Sequence, residues 1–475
     1  MSGESLTLIP AIPRDPGKFP RRRFLTVVVL VLAGLLGLAL IFWRPVSRPP
    51  YTNLILITVD TLRADHLGVY GYPRKTSPNL DEFAKEAWLF RRAYAHAPAT
   101  TPSLSALMTS HYPHETKVPT NHYRLPEKAV TLAEILGADG YRTGAIVGNL
   151  ALKRDAGFDQ GFEDYDDRLD QDTLMGAERK AEQNTRQAQA WLERRHQEKF
   201  FLWVHYMDPH GPYAPPPPYD RMFVEQRPGQ KPALPVNKGL SGKGGISEYQ
   251  VLGEHRDLDY YVSQYDGEIA YGDYWLGELL RTIRTLGLLK NTLIVFTADH
   301  GEGLGGHDYY FDHTDYLFEE LLHVPLIVRY PGTSGEHREV ERLVGQIELL
   351  PAVLRTLSVA SSEQFEGSGS LADGPEAPIF AETFYRVVQR TLFTQDLKLI
   401  REKDGFELYD RRADPGEQQN ILDSNMDAVL MGQVSQLKEM LEATMGRDRL
   451  ALGAPTLRQM SEEIRRQFRS LGYVQ

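Results

Sequence analysis

No cysteine occurs anywhere in the 475 residues. Disulfides, Cys-ligated zinc, iron–sulfur clusters, thiol catalysis and a lipid-modified Cys anchor are therefore excluded. The absence leaves the compartment open, because an exported protein can do without disulfides. Basic residues are in deficit too: 53 Lys and Arg face 64 Asp and Glu, a formal charge of −11. Such a chain lacks the basic face that wrapping a nucleic acid needs, so no nucleic-acid partner is expected. There is no internal repeat and no long low-complexity tract. The rest is ordinary. Hydrophobic residues make up 41% and charged residues 25%, which excludes global disorder, and the length suits one large domain or two smaller ones.

Long apolar runs are missing with one exception. Phe24–Trp43 carries no charge, and its only clearly polar side chain is Thr26. At about 1.5 Å per residue it spans roughly 30 Å as a helix, the thickness of one bilayer core. Arg21, Arg22 and Arg23 precede it, with Arg14 and Lys18 upstream, while Arg44 and Arg48 follow. The denser basic side predicts a cytoplasmic N-terminus (1–23), a single transmembrane anchor (24–43) and a catalytic domain on the extracytoplasmic, periplasmic side. A cleaved signal peptide fits less well, since the run is long and Ile41-Phe-Trp43 offers no small-residue cleavage site. Residues 44–52 read as a Pro-rich linker.

From residue 53 onward, short apolar β-branched runs alternate with helical stretches. Asn53–Val59, Gly144–Val147, Phe200–Val204, Leu293–Phe296 and Val324–Val328 read as strands, and Leu80–Phe90, Val130–Leu136, Gln183–Glu198 and Ser263–Leu286 as helices. The alternation predicts an α/β fold, a mixed or mostly parallel sheet flanked by helices, over residues 53–375. Ile379–Phe384, Val387–Thr394, Lys398–Arg401 and Phe406–Tyr409 read as antiparallel strands of a small α+β subdomain, 376–425. Met426–Met445 and Ser461–Leu471 read as helices of a C-terminal tail, 426–475. Gly229–Gly245, rich in Gly, Pro and Lys, reads as a mobile loop.

Ligands of such sheets bind at the carboxyl ends of the strands. Three polar clusters fall there: Asp60-Thr61; Thr100-Thr-Pro-Ser103, leading into a helix Leu104–Met108; and Asp299-His-Gly-Glu302. Alone, each also reads as a helix cap or an ion pair. Together they suggest carboxylate and imidazole ligands for a divalent metal beside a hydroxyl.

The string Asn53-Leu-Ile-Leu-Ile-Thr-Val-Asp60-Thr-Leu-Arg-Ala-Asp-His66, followed by Ser77-Pro-Asn-Leu80, resembles the opening of sulfatase-family enzymes of the alkaline phosphatase superfamily. Thr100–Ser103, Gly157–Phe162, Asp208-Pro-His210-Gly-Pro212, Asp299–Glu302, His313 with Leu317–Glu320, and Leu408-Tyr-Asp410 with Ala413–Glu417 continue the resemblance in order over roughly 53–420. The resemblance implies a metal held by Asp60, Asp299 and His300 against a covalent nucleophile, Thr100, which also joins the metal. It implies that His210 and His313 face the transferred group, and it places Asn121 where some relatives keep a substrate-contacting Asn. The chain also departs from the pattern. A typical sulfatase oxidises a Cys or Ser to formylglycine and follows it with Arg four residues on. Here Thr100 cannot form an aldehyde, and Leu104 stands where that Arg would be. This resembles the Thr-nucleophile branch acting on phosphate, for which Zn²⁺ or Mn²⁺ is favoured and Ca²⁺ admitted.

A metal-dependent hydrolase of a phosphate or sulfate ester is therefore expected, with the phosphoester (a phosphodiesterase activity) favoured and a small-molecule, glycan or lipid ester as substrate. Two alternatives stay open: a phosphoethanolamine- or phosphoglycerol-type head-group transferase acting on an envelope glycan, and an inactive binding relative. Such transferases usually follow several membrane helices, whereas one run is present here. His307 with Asp308 and Asp312 could support a second metal but reads better as a solvated loop. His205 reads as a satisfied core histidine, Glu302, Glu319 and Glu320 as caps or ion pairs, and Arg63 with Asp65 as a structural pair.

Overall fold

Leu, Ile and Val on both faces of Asn53–Val59 leave no side for water, and the strand is buried along its whole length. It pairs in parallel with Phe200–Tyr206 on one side and Thr292–Ala298 on the other. The computed structural model describes residues 52–169, 178–224, 233–238, 241–332, 336–403, 405–422 and 426–470, and 50–475 form one compact unit. Its main sheet has eight strands in the order Arg338–Gly345, Trp88–Tyr94, His323–Arg329, Thr292–Ala298, Asn53–Val59, Phe200–Tyr206, Arg142–Val147 and Asp164–Asp166.

His323–Arg329 runs antiparallel to both of its neighbours, so the sheet is mixed. That reversal returns Trp88–Tyr94 to the direction of the central strands. Every strand but His323–Arg329 therefore ends at one edge, among them Asn53–Val59, Trp88–Tyr94, Arg142–Val147, Phe200–Tyr206 and Thr292–Ala298. The segments that follow them carry Asp60, Thr100, Asn149, His210, and Asp299 with His300. Leu258–Thr285 packs on Ala181–Arg195 and Pro78–Ala84, while Thr100–Thr109 packs with Leu132–Ala138 and Leu349–Leu357. Helix Ala181–Arg195 sits very close to the sheet: a Cβ added at Gly144 would lie 2.4 Å from the Trp191 ring.

The C-terminal part is a four-stranded antiparallel sheet, Ile379–Phe384, Val388–Phe393, Leu397–Glu402 and Gly405–Asp410, in the expected order. Helix Ala428–Met445 covers it through Val434, Leu437 and Leu441. The tail then turns back: Thr456–Leu457 pairs with Tyr123–Arg124, and Phe468 of helix Glu462–Ser470 is buried against Leu150, Ala151 and Met207.

The sheet differs from expectation in one respect. The helix expected over Leu80–Phe90 ends at Ala84, and Trp88–Tyr94 is a strand inside the sheet. Tertiary pairing on both sides overrides the local helical pattern. The flanking strands Asp164–Asp166 and Arg338–Gly345 also lacked a sequence signal, one being three residues long and the other rich in charge. Of the expected loop Gly229–Gly245, residues 233–238 and 241–245 are described, and Val236–Asn237 pairs in parallel with Ile246–Ser247. The apolar run Phe24–Trp43 lies outside the described residues. Among the described residues no helix is long and apolar enough to cross a membrane.

Candidate metal centre and nucleophile

Asp60, immediately after the first strand, is fully buried, as are Asp299 and His300 after the Thr292–Ala298 strand. Each carboxylate has one oxygen fastened and the other left over. Asp60 Oδ2 accepts a short hydrogen bond from the Asn149 side-chain amide and lies 3.4 Å from His205 Nε2. Asp299 Oδ1 accepts from the backbone N–H groups of Thr61, at 3.2 Å, and His300, at 2.7 Å. The remaining oxygens, Asp60 Oδ1 and Asp299 Oδ2, have no hydrogen-bond partner, and neither has His300 Nε2. The His300 ring is oriented by Nδ1, which sits 2.9 Å from the Gly301 carbonyl. With the proton there, Nε2 presents a lone pair 3.7 Å from Asp60 Oδ1 and 3.6 Å from Asp299 Oδ2.

One donor atom from each of the three residues thus falls within 4.8 Å of the others. Buried polar atoms without partners are costly. Three electron-rich atoms that face one another without hydrogen-bond partners fit a divalent cation, and the ring anchored on a backbone carbonyl is the usual outer support of a His ligand. The charges agree. Burial and the neighbouring Asp60 push the Asp299 carboxyl well above its usual range. Burial opposes ionisation of Asp60, yet the His205 hydrogen bond and the surrounding histidines hold it well below. Burial, with His313 close by, pushes His300 down to about 3, so its ring is neutral at pH 7 and able to bind a metal.

Thr100 opens helix Thr100–Thr109 and is fully buried, with Oγ1 3.5 Å from Asp60 Oδ2. Ser103, one turn on, ties this helix to the metal-ligand loop by donating to the Asp299 carbonyl at 2.6 Å. Asn121 Oδ1 accepts from Thr101 N–H at 2.9 Å and Thr101 Oγ1 at 3.0 Å. Asn121 therefore secures the start of the helix, leaving only its buried Nδ2 without a partner. Leu104, in the place of the expected Arg, is fully buried in the core.

His210, His300 and His313 lie ring against ring. His313 is 4.6 Å from His300 and 5.0 Å from His210, centroid to centroid. His210 Nδ1 lies 2.7 Å from the Gly211 carbonyl, and His313 Nδ1 lies 3.3 Å from Glu302. Burial pushes His210 down and His313 down to about 4, while it pushes Glu302 up to about 8. Glu302 therefore lies against His313 at the edge of this group, paired with it whenever the imidazole carries a proton.

All six sequence-predicted residues, Asp60, Thr100, His210, Asp299, His300 and His313, come to this one place. Two others were missed. Asn149 follows its strand as Asp60 follows its own, and position at a strand end was the available signal. His205 does more than pack: Thr58 Oγ1 lies 2.8 Å from its Nδ1 and accepts from the Trp203 indole N–H at 2.9 Å. With the hydroxyl donating to Nδ1, the ring proton sits on Nε2, facing Asp60. His307 stacks on Phe318 and reaches the Gly416 carbonyl, and Asp312 is paired with Arg386. That trio is engaged elsewhere and builds no second metal group. Arg63 pairs with Asp65 and Glu320, as a structural pair should.

Two family models match the chain: one described as Sulfatase, over residues 52–359, and one described as N-sulphoglucosamine sulphohydrolase, C-terminal, over residues 305–445. The chain is 26% identical over 416 residues to the ulvan-active sulfatase of Formosa agariphila, covering 79% of this chain and 78% of that protein. It is 24% identical over 419 residues to the delta 4,5-hexuronate-2-O-sulfatase of Bacteroides thetaiotaomicron, covering 78% and 84%. The phosphonate monoester hydrolase of Agrobacterium radiobacter superposes with a TM-score of 0.69 at 21% identity, over 86% of this chain and 100% of that one, a likeness of fold. With the Sulfatase model spanning more than half of the sequence, this chain belongs to the sulfatase family and is a sulfatase-family hydrolase.

Proposed function

We propose that the chain is a metal-dependent hydrolase that cleaves a phosphoester through Thr100, acting from a single N-terminal membrane anchor on the periplasmic side. The observation that carries this reading is the convergence of Asp60 Oδ1, Asp299 Oδ2 and His300 Nε2 beside the Thr100 hydroxyl. One imidazole nitrogen among carboxylate oxygens suits Zn²⁺ or Mn²⁺ better than Ca²⁺, which takes oxygen ligands. Such an ion, held by Asp60, Asp299 and His300, supplies charge neutralisation and acidifies a neighbouring hydroxyl.

The residues of the chain do the rest. Helix Thr100–Thr109 aims its N-terminal end at the site, which favours an anionic group there. The Thr100 hydroxyl proton faces Asp60 Oδ2, which takes it as Oγ1 attacks and returns it when the Thr ester is resolved. As Oγ1 bonds to phosphorus, the bond from phosphorus to the leaving oxygen breaks, giving a Thr phosphoester. His210 is neutral in the resting site, and the negative charge of the bound ester raises its proton affinity so that it takes up a proton from solvent as the ester binds. It then delivers that proton to the leaving oxygen. Water resolves the Thr ester and regenerates the hydroxyl. His313, steadied by Glu302, faces the same group.

A second reading rests on the sulfatase names of the curated relatives: an unmodified-Thr sulfatase acting on a carbohydrate sulfate ester. Phosphorus is preferred on chemical grounds. A hydrated aldehyde sheds its sulfate by elimination, whereas a Thr sulfate needs a second displacement at sulfur. A Thr phosphate can be resolved through a loose transition state that needs mainly positioning and charge neutralisation. Chromogenic sulfate, phosphomonoester and phosphodiester substrates, assayed with several metals on the chain lacking residues 1–50, separate the two. A phosphodiester should be turned over fastest. An aryl sulfate turned over faster than every phosphoester, with Thr100 required, would establish the sulfatase.

Because 50–475 form their own compact unit, removal of residues 1–50 should yield a folded protein that stays in solution. A C-terminal alkaline phosphatase fusion to the full chain should be active outside the inner membrane. Activity only of a cytoplasmic reporter at that position would reverse the topology.

A further inference from the structure

Arg458 lies beyond the last residue of either family match, yet its side chain is 0% exposed. It follows the strand Thr456–Leu457, and its backbone N–H donates to the His122 carbonyl at 2.8 Å. The guanidinium is used on two sides. Outward, Nε and Nη2 form a bidentate pair with Asp155 at 3.1 and 2.7 Å. Inward, Nη1 donates to the carbonyls of Asn121, at 3.2 Å, and Ala151, at 2.9 Å, and Nη2 reaches the Leu150 carbonyl at 3.4 Å. Phe468 covers it, with its ring centre 4.9 Å from the guanidinium carbon.

Those carbonyls belong to the two loops whose asparagines hold the site. The Asn121 side chain grips Thr101, next to the nucleophile. Asn149 accepts from Ala151 N–H at 2.6 Å and donates to Asp60 Oδ2. One buried cation is thus one residue, Asn121, away from the start of the nucleophile helix and two residues, Ala151 and Asn149, away from the first metal-ligand carboxylate. We propose that Arg458 is a positioning residue that fixes the distance between Thr100 and Asp60, and that the tail carrying it is part of the active-site framework. The inference rests on the role assigned above to Thr100 and Asp60. A planar fork with five N–H donors suits the task because it bonds to a carboxylate and to several carbonyls at once. An ammonium cannot reproduce that geometry.

The test compares Arg458→Met with Phe468→Ala in the full chain. Phe468→Ala loosens the tail but leaves both asparagine loops their carbonyl contacts. In metal-free protein, Arg458→Met should speed amide exchange at Thr101 by about tenfold or more, and Phe468→Ala, whose ring packs on Leu150 and Ala151 but not on Thr101, should not. On a chromogenic phosphodiester, kcat should fall by roughly 10- to 100-fold in Arg458→Met with KM nearly unchanged, since small misplacements of reacting groups carry penalties of that size. Phe468→Ala should stay within about threefold of the parent. Arg458→Lys keeps the pair with Asp155 and hence the fold, so it serves if the Met variant does not fold, and it should still lose most of kcat. Equal exchange and equal kcat in Arg458→Met and Phe468→Ala, or parental kcat in Arg458→Lys, would overturn the proposal. A parent that turns over none of the esters defeats the functional reading instead, and the exchange comparison then decides the positioning role alone.

Discussion

Thr100→Ala is expected to lower phosphodiester turnover by at least about a thousandfold, roughly 4 kcal/mol of transition-state stabilisation. The loss should fall on kcat, because the methyl left behind still fills the buried start of helix Thr100–Thr109 and the bonds of Ser103 and Asn121 that fix this helix are untouched. Thr100→Ser keeps the hydroxyl and should retain a measurable part of the rate, reduced because Ser is less restricted about its side-chain torsion than a β-branched residue. The decisive measurement is a single-turnover experiment at acid quench. Parent and Ser variant should trap a phosphorylated peptide containing residue 100, and the Ala variant none. Turnover by Thr100→Ala at even a tenth of the parental rate would mean that water attacks directly and that Thr100 only lines the site.

Asp299→Ala should lose the metal while keeping the fold. Its Oδ2 is one of three unpartnered donors, so its removal leaves two ligands and should weaken Zn²⁺ or Mn²⁺ binding by about 100-fold or more. The fold should survive because metal-free protein buries Asp299 beside Asp60, and burial together with repulsion between the two carboxylates already raises Asp299. Removing one relieves that repulsion and offsets the loss of the bonds from Thr61 and His300. Metal content by elemental analysis should drop from about one ion per chain to near zero, with the thermal midpoint of metal-free protein close to that of metal-free parent. Full occupancy in the variant would show that the ion sits elsewhere; among the described residues the other candidate group is His111, Glu115 and Glu366.

The ligands were readable from sequence because each follows a strand that declares itself. Asn53–Val59 and Thr292–Ala298 are mostly apolar runs, and although a single Asp after such a run also reads as a helix cap, the joint occurrence of the clusters and the resemblance singled these residues out. Thr100 stood out as part of a polar cluster, but its role as nucleophile came only from the resemblance, and its own strand, Trp88–Tyr94, carries Arg91 and Arg92 and mimics a helix. Asn149 and His205 stayed hidden for a different reason. Their importance comes from touching Asp60 across 89 and 145 residues of sequence, a relation created by strand order rather than by neighbouring residues. Arg458 is the extreme case. A lone Arg in a polar tail gives no local sign that it will be enclosed between two loops more than 300 residues earlier.

Strand order also dictates when the site can exist during synthesis. The Asn53–Val59 strand is flanked by Phe200–Tyr206 and Thr292–Ala298, so the partner that delivers Asp299 and His300 emerges long after Asp60. A nascent or clipped chain ending before residue 292 holds one carboxylate of the three ligands and an incomplete sheet. On the proposed reading such fragments lack two of the three ligands, so metal binding and hydrolysis would await closure of the central strands. On that reading, loading of the metal would be a late event in the life of the chain, and a bound metal would report a finished fold.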